Sequence, residues 1–377
     1  MIYLDNGATS FRKPESVRRA VDYAMLHYAS VGRGGYGAAM GAAKAVDGCR
    51  TLAGELFDSP PENVVFTMNA THGLNIAIRT LVRPGGKAVV SGFEHNAVLR
   101  PLTALSAEIT VAGRKLFDPA DTLRAFSEAV TPETQAVICT HVSNVFGYIL
   151  PVEEIASLCR ERGVPFVLDA SQSAGILPVS LEKTGAAFIA MPGHKGLYGP
   201  QGTGILLCGM LPEPLMQGGT GSQSREAAMP DFLPDRAEAG TLNVAGICGL
   251  AAGIRFVRQR GTETILRHER TLCRRMAEIL EKSPQLRVFT GPESCQCGVL
   301  SVAFRNADCE LAAQKLADAG VAVRAGLHCA PLAHESAGTL ESGTVRFSPS
   351  VFTAFSEVET AARRTLGIAE GKKTIVS

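Results

Sequence analysis

The chain has 377 residues, 46% of them hydrophobic, enough for a sizeable core and too long for one simple small domain, so two domains are expected. With 37 Lys and Arg against 36 Asp and Glu, the charges nearly cancel; no basic patch is implied, and nucleic acid or an anionic membrane is not expected as a partner. Ten scattered cysteines include one C-x-C, Cys295 and Cys297, and no C-x-x-C pair, which predicts no zinc framework and a reduced, cytoplasmic protein with mostly packed or inert thiols.

From the start, "MIYLDNGATS" has no basic region followed by an apolar core, so no secretory signal is read there. A helical pattern at 14–29 is expected to pack near the second domain, and the Gly-rich "VGRGGYGAAMG" at 31–41 reads as a flexible loop. That loop lacks the G-K-[ST] ending of a Walker motif. Strand-like "NVVFTM" (63–68) then precedes helix-like "THGLNIAIRTLV" (71–82), and "KAVVSGF" (87–93) follows. "AVICTHV" (136–142) precedes "PVEEIASLCRERG" (151–163), after which "VPFVLDAS" (164–171), "AAFIAMPG" (186–193) and "GTGILLCG" (202–209) come in close succession. Near-continuous Val, Ile and Leu runs of this kind predict strands buried on both faces of a largely parallel sheet flanked by helices. The Gly-, Pro- and Ser-rich stretch 210–240 reads as a long loop. Beyond it come a long Arg- and Glu-rich helix over roughly 256–283, strands at 297–304, 321–326 and 344–350, and helices at 309–320 and 355–366. That order predicts a smaller α+β domain. No apolar run reaches bilayer-spanning length.

Several positions carry candidate chemistry. Asp169 ends a buried strand, where open α/β sheets place their ligands. Its carboxylate needs a partner, which a cationic ring nitrogen, a turn or an Arg would each supply. Lys195, in "MPGHKGLYGPQGTG", ends the next apolar run and suits either a Schiff base, which needs a neutral amine, or a plain surface position in a glycine turn. Taken together, the two sit at one rim of one sheet, and pyridoxal phosphate needs that pair: a lysine for its aldehyde and an acid for its pyridine nitrogen. "NATHG" (69–73) lies between a strand and a helix, where Thr71 and the first backbone N–H groups hold a phosphate or simply cap the helix. His95 fits ring stacking or a structural role. Cys329 has His328 beside it and Arg324 upstream, neighbours that favour thiolate; packing at a strand end is the alternative.

The chain resembles the class V aminotransferase family and, within it, the cysteine desulfurases, over nearly its whole length. "YLDNGATS" (3–10), "EHNAVLRP" (94–101), "HVSNVFG" (141–147), "DASQS" (169–173), "GHKGLYGPQGTG" (193–204), "EAGTLN" (238–243) and "RAGLHCA" (324–330) carry the likeness. The resemblance implies a pyridoxal 5'-phosphate enzyme of fold type I: a large domain (15–255) with a mostly parallel seven-stranded sheet, and a smaller α+β domain from 1–14 and 256–377. It implies Lys195 as the Schiff-base lysine, His95 stacked on the cofactor ring, Asp169 at the pyridine nitrogen and Gln172 at the phenolic oxygen. Thr71, His72 and His194 then fall near the phosphate, and Thr241 reaches the phosphate of the other subunit in a homodimer. Asn144 and Arg346 fall at the substrate carboxylate, and Cys329 is the persulfide cysteine of an L-cysteine desulfurase that hands sulfur to an acceptor protein. Other readings within the family are a selenocysteine lyase, another class V aminotransferase or lyase, or a non-catalytic cofactor-binding paralogue. Two positions depart from the pattern. Pro192 stands where the family usually has Ser or Thr helping the phosphate, and Leu327 where close relatives often have histidine.

Overall fold

The computed structural model describes residues 1–32 and 34–371. Arg33 of the Gly-rich stretch and the last six residues of the expected second domain, 372–377, lie outside the described residues. In chain order the strands are β1 (Ile2–Tyr3), β2 (Val64–Thr67), β3 (Lys87–Ser91), β4 (Glu108–Ala112), β5 (Thr134–Thr140), β6 (Phe166–Asp169), β7 (Phe188–Pro192), β8 (Gly204–Cys208), β9 (Leu286–Phe289), β10 (Leu300–Phe304), β11 (Val321–Ala322), β12 (Arg324–Gly326) and β13 (Thr344–Phe347).

Among the described residues, seven strands form the central sheet in the order β2-β8-β7-β6-β5-β3-β4. All neighbours run parallel except β8, which is antiparallel to β2 and β7. Side chains alternate across the sheet with the two-residue period of a strand. Val137 and Cys139 pack into one apolar layer and Ala136 and Ile138 into the other. Both faces are therefore covered, which is why these strands read as unbroken apolar runs. β4 does not read this way, because it is an edge strand whose first four residues alternate between exposed and half-buried, with only Ala112 buried.

A second sheet, β12-β13-β10-β9, is antiparallel throughout and has its own apolar cluster around Leu300, Val302, Val345 and Phe347. β1 pairs in parallel with β11, and Asp5 bridges to Ser348. The first ten residues thus run along this second sheet and then reach the central one, where Ser10 N donates to His194 O at 3.0 Å.

Three local expectations change. The stretch 31–41 is not all loop, because the helix Gly37–Phe57 begins inside it and buries Ala39, Ala42 and Val46. The helix expected over 256–283 is two helices, Val244–Arg260 and Thr262–Leu280, broken at Gly261. Gly261 has φ +80°, a conformation that glycine alone adopts without strain. The helix Glu15–His27 packs chiefly on Val244–Arg260 rather than on the second sheet.

Candidate active site

Strand register assembles the site. Thr140 and Asp169 lie side by side at the carboxyl ends of β5 and β6, with Ala190 of β7 next to Asp169. Thr67, Gly204 and Pro192 lie side by side where β2, β8 and β7 meet. A Cβ on Gly204 would come within 2.6 Å of Thr67 Oγ1 and 2.8 Å of Asn69 Cα. This close approach needs glycine, and it brings the start of the helix Ala70–Leu81 beside the turn that carries Lys195. Lys195, Asn144 and His95 each follow within a few residues of a strand end on that rim.

Lys195 is half-buried, and its ammonium makes no hydrogen bond or ion pair with the described residues. Burial lowers its pKa to about 8; Asp169 opposes the shift, while Arg346 and Arg324 reinforce it. Asp169 is buried, and its Oδ1 accepts from Ser171 N at 2.9 Å. Oδ2 has no partner among the described residues, so one lone-pair face remains for a cationic donor. His95 caps the helix Asn96–Ala104, with Nδ1 accepting from Ala97 N at 3.0 Å. That bond leaves the proton on Nε2. Burial lowers the His95 pKa to about 4, with Asp169 acting against it and Lys195 and the arginines with it, so the ring is neutral at pH 7.

Gln172 Nε2 donates to Gly7 O at 3.0 Å. His194 Nδ1 lies 3.1 Å from Thr9 Oγ1, and burial keeps this ring neutral as well, with a pKa of about 4. Asn69 Oδ1 accepts from His72 N at 2.9 Å, and His72 Nδ1 accepts from Met68 N at 3.3 Å. Thr71 is exposed in the first turn of that helix. Thr241 stands apart, exposed on a groove with Arg50, Gly219, Thr220 and Glu238.

Arg346, only 2% exposed, is held from two sides. Its NH2 donates to Asp5 Oδ1 at 2.7 Å and its NH1 to Asn144 O at 2.9 Å, while Nε has no partner. A buried guanidinium N–H without an acceptor is costly, so this cluster is short of one hydrogen-bond acceptor. Asn144 Nδ2 donates to His328 O at 2.8 Å, and Asn96 N donates to Cys329 O at 2.7 Å. These bonds tie the turn that bears Cys329 to the rim. His328 and Cys329 both adopt left-handed backbone, with φ +49° and +56°. Packing at a strand end, the alternative for Cys329, is not what the structure shows: it is exposed, Cys295 is intermediate and the other eight are buried. The helix Pro331–Ala337 follows directly after it.

Asp5 is not legible in the sequence as a site residue, and Arg324 is legible only as a neighbour of Cys329. Asp5 lies far from Arg346 in sequence and meets it because β1 pairs with β11 and Asp5 bridges to Ser348, just past β13; Arg324 faces Arg346 in cross-strand register. The missing signal is long-range pairing, which no local pattern carries.

The family model for class-V aminotransferases matches residues 2–360. A protein of Pyrococcus abyssi named "probable cysteine desulfurase" is 33% identical, covering 96% of this chain and 92% of the relative. One of the same name from Methanothermobacter thermautotrophicus is 31% identical, covering 95% and 92%. An apo structure of a cysteine desulfurase from Thermococcus onnurineus superimposes with a TM-score of 0.89 at 31% identity, covering 98% of this chain and 95% of that one. Motifs, fold and relatives agree from the first strand to the last helix: the chain belongs to the class-V aminotransferase family.

Proposed function

We propose that this protein is a pyridoxal-phosphate-dependent cysteine desulfurase that converts L-cysteine to L-alanine and carries the sulfur on Cys329. The observation that supports this most directly is the exposed Cys329, tied through its own carbonyl and that of His328 to the rim that holds Lys195 and Asp169 and, through Asn144, meets Arg346. The cofactor fits the unused groups: a lysine amine without a partner, one free oxygen on Asp169, and a neutral His95 ring. Thr71, His72 and the backbone N–H groups at the start of Ala70–Leu81 would hold the phosphate, with His194 beside it and Gln172 at the phenolic oxygen. When bound, the cofactor supplies an aldehyde for the lysine and a ring that draws electrons from the substrate Cα.

The chain's own residues do the rest. Arg346 would hold the substrate carboxylate through its guanidinium, with Asn144 beside it. Lys195, lowered to a pKa of about 8, takes the Cα proton onto Nζ and returns it. The Cys329 thiolate attacks the substrate sulfur. An S–S bond forms, the substrate C–S bond breaks, and the substrate's thiol proton ends on the methyl group of alanine. Exposure of Cys329 leaves the resulting persulfide open to an acceptor protein. We read the exposed Thr241 as reaching the cofactor phosphate of a second copy in a homodimer. We read residues 15–255 as the cofactor domain and 1–14 with 256–377 as the smaller one; the separate apolar cluster of the second sheet supports that division.

The test is incubation with L-cysteine and a thiol reductant, with alanine and sulfide measured and L-selenocysteine run in parallel. Cys329→Ser is expected to keep bound cofactor and lose sulfide release from L-cysteine by about a hundredfold or more. Sulfide at the wild-type rate from that variant rules out the cysteine's role.

A further inference from the structure

Glu94 has no role in the chemistry above, yet it is completely buried within the same rim. It follows β3 and directly precedes His95. Its Oε1 accepts from Thr140 N at 2.7 Å, across the sheet on β5, and also from Ser91 Oγ on its own turn. Thr140 is in register with Asp169, and the next residue, His141, donates its N–H to Asp169 O at 2.9 Å. One carboxyl oxygen therefore joins the turn that carries His95 to the strand end that carries Asp169. The other oxygen, Oε2, is enclosed and has no hydrogen-bond partner.

We infer that Glu94 is a positioning residue: an uncharged acid whose single accepting oxygen sets the spacing between the ring of His95 and the carboxylate of Asp169. This rests on the proposed cofactor site, where those two side chains hold one flat ring between them. The absence of any cation at Oε2 fits a neutral acid, because an enclosed carboxylate without a counter-ion is strongly disfavoured. Burial pushes the Glu94 pKa up to about 8 against the pull of Ser91 and Thr140, and Asp169 pushes it further. The groups facing it are Ser91, Thr140, Asp169 and the buried Cys139 thiol, none of them cationic. A second negative charge here would also repel the carboxylate needed at the ring nitrogen.

The experiment is equilibrium titration of pyridoxal phosphate into cofactor-free protein, followed by the absorbance of the bound cofactor. Glu94→Ala leaves Thr140 N–H buried and unpaired, and is expected to weaken binding about tenfold and shift the absorbance band. Glu94→Gln keeps the accepting oxygen without charge, and is expected to bind within about threefold of wild type with the native band. Ser91→Ala, which removes the second donor, gives a smaller weakening of the same sign and serves if Glu94→Ala does not fold. Wild-type affinity in Glu94→Ala, or in Ser91→Ala when Glu94→Ala is insoluble, overturns the inference. So does a Glu94→Gln protein as impaired as Glu94→Ala, which would mean that charge matters. If wild-type protein itself takes up no cofactor, the reading of the site falls and takes this inference with it.

Discussion

Lys195 owes its character to its surroundings rather than to its type. An ordinary lysine stays protonated at neutral pH, and a protonated amine is no nucleophile. Here burial, Arg346 and Arg324 favour the neutral form over the opposing pull of Asp169. A measurable consequence follows for the cofactor-free protein. Its uptake of pyridoxal phosphate should accelerate as pH rises through about 8, where Lys195 loses its proton, and then level off. Stopped-flow absorbance reads this directly; a rise delayed to the pH of a free lysine would count against the lowered pKa. Lys195 and Asp169 could be picked out of the sequence because each ends an apolar run, and the runs are local. Asp5 could not, because its partner Arg346 is on the far side of the chain's length.

At the scale of elements, the helix Val244–Arg260 anchors the large sheet's flank. Val257 and Ile254 are fully buried and the helix packs on both Glu15–His27 and Gly37–Phe57. Asn243 starts it: Oδ1 accepts from Gly246 N at 2.9 Å, and Nδ2 donates to Gly202 O at 3.2 Å. Asn243→Ala is expected to cost about 1 kcal/mol of stability, read by chemical denaturation, because the cap bond to the first turn is lost. No change in the midpoint would mean that water replaces the cap without loss. The sequence hid the start of this helix, since its three glycines and small side chains weaken the apolar stripe. The next helix, Thr262–Leu280, was legible from its charged face, but its N-terminal limit was set by the backbone angle of Gly261.

At the scale of the whole molecule, the interior holds unpaired acids and neutral imidazoles that tie stability to pH. Burial pushes Glu269 up to about 8 and drives His141 and His334 down to about 4. An acid raised in the folded state holds its proton there while the unfolded chain has released it. Its effect on stability is therefore increasingly unfavourable as pH climbs from about 4.5 towards 8. The buried histidines act at the other end, favouring the fold above pH 6.5 and losing that contribution as pH falls towards about 4. Glu269→Gln removes the alkaline penalty. Relative to wild type, its melting temperature should rise as pH is taken from 5 to 8, by the equivalent of a few kcal/mol on the order of magnitude. A constant difference across that range would show that Glu269 is ionised in the fold.

What the sequence determined by itself was local: which runs are strands buried on both faces, the acid and the lysine at adjacent strand ends, and the motifs that tie the chain to its family. These follow from side-chain periodicity and from backbone chemistry within a few residues. Tertiary structure alone decided which groups meet. It brought Asp5 to Arg346 through the pairing of β1 with β11, put Glu94 against Thr140 across two strands, and left Cys329 exposed while eight other cysteines are buried. The reason is physical: burial and charge partners are properties of neighbours in space, and a chain folded through a doubly covered sheet takes those neighbours from far along its length.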